Sequence, residues 1–126
     1  MPDDDTTVAD LCARVRAFVD ERDWQPFHTP KNLSMSIAIE AAELMERFQW
    51  LTPGEAQAAV EDPAERAAIS DELADVLIYC LSLSNALHLD VSSAVLGKLR
   101  TNKDRYPADK FRGRFRRPER EKDSDA

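Results

Sequence analysis

The sequence predicts an all-α fold of four main helices in a bundle, and three observations predict it. Four stretches repeat apolar residues at three- and four-residue steps, the spacing of one helix face. Threonine or aspartate caps, or prolines suited to a first helical turn, stand at the heads of these stretches. Glycine occurs only at Gly54, Gly97 and Gly113, too rarely for a turn-rich β fold, and no strand pattern of any length competes.

Residues 1–5 are acidic and expected to fray. Thr6 or Thr7 caps a first helix over which Val8, Leu11, Cys12, Val15, Phe18 and Val19 share one face, ending near Arg22 or Asp23. Trp24 to Pro30 reads as a loop, because Pro26 and Pro30 are excluded from a helix interior. Thr29 then caps a second helix with Pro30 at its first position, running to about Trp50. Its main face is Leu33, Ile37, Ala41, Leu44, Met45 and Phe48. Met35 and Ile39 lie on another side, to be covered by a neighbouring helix or by a second copy of the chain. Thr52-Pro53-Gly54 interrupts, and the Ala- and Glu-rich residues 53–62 have room for a short helix.

A third helix is expected from about Pro63 to His88, with Ile69, Leu73, Val76, Leu77, Cys80, Leu83, Ser84 and Leu87 as its apolar stripe. Asp90 or Ser92 caps a fourth, carrying Val91, Ala94, Val95 and Leu99 and stopped by Pro107. Residues 1–107 read as one domain. Residues 108–126, with Lys110, Arg112, Arg114, Arg116 and Arg117 interleaved with Phe111 and Phe115, read as a charged, flexible tail.

The chemistry is carried by two acidic signatures, Glu40-Ala-Ala-Glu43 and Glu72-Leu-Ala-Asp75. At about 100° per residue, positions three apart share a helix face, so each pair points one way. The neighbours repeat in the same phase: Ile37, Leu44, Met45 and Phe48 correspond to Ile69, Val76, Leu77 and Cys80. Both apolar arcs are centred roughly 60° from the first acid, which sets the carboxylates at the edge of the core. Packing the two helices would bring four acids to one seam, and such a cluster repels itself unless cations intervene. Oxygen-only ligands select hard cations, magnesium first, with manganese or calcium as alternatives. A di-iron bundle would need Glu-x-x-His on two helices, and zinc would need a Cys/His cluster; the sequence has neither. Trp24, Phe27 and His28 put three rings in five residues, suited to a flat ligand. Tyr79, four residues after Asp75, lies on the acidic face, and Lys98, Asn102 and Arg105 form a row suited to phosphates. Taken alone, these residues indicate metal-dependent phosphate-ester chemistry on something flat.

Other classes are disfavoured. A net charge of −7 is unsuited to broad nucleic-acid binding. Gly-rich phosphate loops are absent, and no apolar run approaches a membrane span of roughly 20 residues. The acidic Met1-Pro-Asp-Asp-Asp start is the reverse of a signal peptide's, and Cys12 and Cys80, both on apolar faces, suit a reducing cytoplasm.

Several runs together resemble one family: Glu21-Arg-Asp-Trp24; Phe27-His28-x-Pro30-x-Asn32-Leu33; Glu40-x-x-Glu43-Leu44-x-Glu46-x-Phe48-Gln-Trp50; Asp71-Glu72-Leu-x-Asp75-Val-Leu-Ile-Tyr79; and Lys98-x-x-x-Asn102-x-x-Arg105-Tyr106-Pro107. The chain resembles, over roughly residues 8–107, the MazG-like all-α nucleoside triphosphate pyrophosphohydrolases, particularly the dCTP pyrophosphatase branch. The resemblance implies magnesium-dependent cleavage between the α and β phosphates of a (d)NTP, in a homodimer or dimer-of-dimers tetramer. It implies Glu40, Glu43, Glu72 and Asp75 as metal ligands, with Glu43 and Glu72 catalytic and Glu46 supporting them. Trp24, His28 and Trp50 would line the base pocket, and Tyr79, Lys98, Asn102 and Arg105 would hold sugar or phosphates. Ile39 departs from the many MazG domains that carry a further glutamate there. Two alternatives stay open: dUTP or another NTP as substrate, and a non-catalytic helical module whose acids face a basic partner.

Overall fold

The structure, a computed structural model, describes residues 1–114. The first two long helices start at threonine caps that the sequence marks. In α1 (Val8–Glu21) the Thr7 side chain accepts from the Asp10 amide while Asp10 accepts from the Thr7 amide, so two otherwise orphaned donors are satisfied reciprocally. Thr29 caps α2 (Pro30–Glu46), and Thr52 and Glu55 form a second reciprocal cap on the short α3 (Pro53–Ala59). Asp62 caps α4 (Pro63–Leu87), the longest helix. It ends at His88, whose left-handed backbone (φ 54°) lets the Leu89 amide turn back onto the Ser84 carbonyl. Asp90 caps α5 (Val91–Arg105), and Pro107 precedes a single turn, α6 (Ala108–Phe111). A short 3-10 turn, Gln25–Phe27, sits in the Trp24–Pro30 connection. Among the described residues there is no strand.

Met1–Leu89 forms one unit holding α1 to α4; a second opens at Asp90 and holds α5 and α6. In the first unit α4 is the hub, packing against both α2 and α1. Polar contacts fix the α1 register: the Asn85 side chain donates to the Cys12 carbonyl at 3.0 Å and accepts from Arg16 at 2.9 Å. Leu33 is the most deeply buried large side chain, at 1% exposure, and Val19 is the other buried apolar residue of this core.

The α4 stripe differs from the one the spacing predicts. Leu73, Leu77, Cys80 and Leu87 are exposed, and the buried positions are Ser82 and Ser84. The helix is apolar nearly all round, with Ile78 and Leu81 outside the predicted stripe, so periodicity cannot fix which face turns inward. Ser84 belongs to the predicted stripe, whereas Ser82 escapes a search for apolar positions. On α2, Met35 and Ile39 are exposed, no neighbouring helix of the described residues covering them, and Met45 of the expected inner face is exposed as well. Both cysteines are free thiols. The expectation of a flexible tail falls largely on residues 115–126, outside the described residues; within 108–114 the chain forms α6.

Candidate active site

The pairing of α2 with α4 brings three acids together. Glu40 and Glu43, one turn apart on α2, and Glu72 on α4 each offer a carboxylate oxygen, all within 4.8 Å of one another. Glu40 and Glu72 are half-buried, and each keeps its Oε2 out of solvent with no hydrogen-bond partner among the described residues. Burial pushes the Glu40 carboxyl up to about 7, helped by the hydrogen bond its protonated form gives to Glu43 and by the charges of Glu43, Asp75 and Glu72. Burial likewise raises Glu72, with Glu43 and Asp75 adding to it and Arg47 opposing. Arg47 itself lies 3.6 Å from Glu65. Two acids held above their ordinary range, with inward oxygens unsatisfied, are what a cluster built for a cation looks like without one. The donor set fits a hard divalent ion.

Asp75, the fourth acid of the sequence pattern, feeds its charge to Glu40 and Glu72 but does not join the three-oxygen group. It lines instead a neighbouring cavity of about 420 Å³, with Trp24, His28, Tyr79, Phe18 and Ser82. Its rings form a continuous row. Phe18 meets Trp24 edge-on at 5.7 Å, Trp24 stacks on His28 at 6.1 Å, and His28 lies 6.1 Å from Tyr79, tilted by 33°. The 3-10 turn supplies the first half of this row by carrying the chain from Trp24 to His28 beside α4. A second cavity of about 360 Å³ shares Val19, His28 and Ser82 with the first and is lined further by Arg16 and Asn85.

Of the expected ring residues, Trp24, His28 and Tyr79 come together. Trp50 does not: it follows the end of α2 at 85% exposure and lies outside this cavity. Glu46 is exposed at the last turn of α2. Lys98, Asn102 and Arg105 belong to the second unit, where Lys98 and Asn102 flank Ala94, Val95 and Leu99 on one face of α5 and Arg105 lies 5.8 Å from the Tyr106 ring. Sequence reasoning missed Ser82, whose Oγ lies 3.0 Å from His28 Nδ1, and Phe18 as a wall of the cavity. Asp75, Tyr79 and Ser82 are spaced i, i+4, i+7, so the α4 period alone carried a signal for the serine.

Comparison with known proteins adds to this geometry. A model of the MazG-like family matches residues 35–116. The chain is 42% identical over 107 residues to dCTP pyrophosphatase 1 of Rattus norvegicus, covering 85% of this chain and 63% of that protein. To dCTP pyrophosphatase 1 of Homo sapiens it is 44% identical over 102 residues, covering 81% and 60%. The chain thus spans about three fifths of the length of these curated relatives. A crystal structure of a pyrophosphatase from Archaeoglobus fulgidus DSM 4304 superposes with a TM-score of 0.73 at 40% identity, over 79% of this chain and 91% of that one. No helix among the described residues is long and apolar enough to cross a membrane.

Proposed function

The chain belongs to the MazG-like family, and from that premise we propose that it is a magnesium-dependent nucleoside triphosphate pyrophosphohydrolase. Its substrate is dCTP or a modified dCTP, split by water between the α and β phosphates into the nucleoside monophosphate and pyrophosphate, which clears the cytoplasmic nucleotide pool. The observation that carries this reading is the adjacency of the acid cluster to the ring-lined cavity, with Asp75 bordering the cavity and felt by the cluster. Curated relatives named dCTP pyrophosphatase 1 support the choice of base.

In this reading Glu40, Glu43, Glu72 and Asp75 hold magnesium, with manganese as a substitute. When bound, the ion supplies neutralisation of the polyphosphate and acidification of water. Glu43, the exposed member of the cluster, takes the proton of the attacking water as its oxygen bonds to the α phosphorus and the bridging oxygen leaves with pyrophosphate. Glu72 faces it from α4 and keeps the cluster anionic. Trp24 and His28 line the base pocket and Tyr79 holds the sugar. Residues 1–107 form the catalytic domain.

The apolar side chains left exposed, Met35 and Ile39 on α2 and Leu73 and Leu77 on α4, support assembly into a dimer or a dimer-of-dimers tetramer. Assembly also gives Trp50 a role, closing the base pocket of a second copy. Trp50→Ala is expected to raise KM for the preferred nucleotide about fivefold or more, the loss of one base–aromatic contact, and to leave magnesium affinity unchanged. An unaltered KM removes Trp50 from the pocket.

The decisive experiment is pyrophosphate release from a panel of canonical and 5-modified dNTPs, with magnesium and with EDTA. Magnesium-dependent release that favours a cytosine base is expected. No release from any nucleotide by folded, magnesium-loaded protein would overturn the reading.

A further inference from the structure

One hydrogen bond ties the ring row to α4. Ser82 is buried on α4, and its Oγ lies 3.0 Å from His28 Nδ1, its one side-chain hydrogen bond among the described residues. The other buried serine of α4 behaves differently: Ser84 gives its proton to the Leu81 carbonyl at 2.7 Å, the usual recourse of a helical serine. With no such carbonyl, the one acceptor for the Ser82 proton among the described residues is the His28 ring. The reverse arrangement, Nδ1–H donating to Ser82, would leave a buried hydroxyl proton without a partner, the costlier outcome. A neutral imidazole that accepts at Nδ1 carries its proton at Nε2. His28 Nε2 has no hydrogen-bond partner among the described residues, and the ring borders the cavity between Trp24 and Tyr79.

We infer that Ser82 is a positioning residue that locks His28 in the Nε2–H tautomer, so that the ring presents a donor to a hydrogen-bond acceptor on the edge of the flat ligand. On the nucleotide reading, on which the ligand half of this inference rests, that acceptor is a ring carbonyl or unprotonated ring nitrogen of the base. The site therefore selects an acceptor edge as well as a flat shape. Ser82 also stands where the two cavities meet, so the same bond holds His28 as the wall between them.

The test has two arms. Imidazole ¹⁵N shifts are read near neutral pH in the full chain carrying His88→Asn, which removes the other histidine and keeps a residue tolerant of a left-handed backbone. His28 is expected to show a protonated Nε2 and an unprotonated Nδ1; Ser82→Ala is expected to mix the tautomers and Ser82→Thr to restore the bias. In the second arm, Ser82→Ala raises KM for dCTP about fivefold with kcat within twofold, the loss of one oriented hydrogen bond, and Ser82→Thr returns KM to the wild-type value. A protonated Nδ1 in the wild-type ring overturns the inference without any variant, as does an unchanged tautomer and KM in Ser82→Ala. Failure to hydrolyse any nucleotide would instead overturn the enzyme reading, and the ¹⁵N arm would still decide the tautomer.

Discussion

Glu43→Gln and Glu72→Gln each lower turnover by at least about a hundredfold while leaving the helical circular dichroism unchanged. Both halves of that expectation follow from position. Glu43 is exposed and Glu72 only half-buried, and neither side chain caps a helix. Glutamine keeps the volume and one oxygen but removes the charge, so it takes from the cluster the one property a divalent cation needs. Magnesium titration followed by calorimetry should weaken in parallel with turnover. Full turnover in both variants would remove the acids from the chemistry and return them to the status of a charged seam.

How much of this was legible in the sequence depends on whether the determinant was local. Caps are local, so Thr29 marks α2 directly, and Thr7 and Asp90 are each one of the two candidates the sequence offers for their helices. The acid seam was legible because two copies of one pattern in the same helical phase force both pairs towards the α2–α4 contact, and three of the four acids meet there. Asp75 stands apart from the three-oxygen group and borders the ring-lined cavity, a difference that equal spacing in the two signatures does not reveal. The buried face of α4 was legible only at Ser84: Leu73, Leu77 and Leu87 of the same expected stripe are exposed, because a helix apolar nearly all round leaves the choice of face to the packing of α1 and α2. Trp50 shows the same limit, since one chain does not determine what covers a ring it leaves in solvent.

The cluster also dictates how stability responds to pH. Glu40 is raised from 4.5 to about 7 in the folded chain, by burial first, and Glu72 is raised as well. Between these values the folded state keeps a proton that the unfolded state has lost, so stability falls as pH rises through that window and stays low above it. The cap carboxylates act in the opposite sense. Asp10, Glu55 and Asp90 are lowered by the hydrogen bonds of their caps, so their contribution is present above ordinary carboxylate values and is lost as pH falls below them. EDTA-treated protein should therefore melt highest near pH 5, where the caps are ionised and Glu40 is still protonated. Glu40→Gln should flatten the decline from pH 5 to 8 and melt above the wild type at the upper end, although it weakens magnesium binding. Magnesium works by another route, binding the deprotonated folded state: at a hundredfold excess over Kd it adds about 2.7 kcal/mol, roughly 10 °C for a domain of this size. That gain should be present at pH 8 and shrink towards pH 5 as protons compete for the same oxygens. Melting curves with and without magnesium across this range check both signs. A metal-free melting point that climbs from pH 5 to 8 would show that the carboxylates are not under strain, and with it would go the physical reason for a cation at this seam.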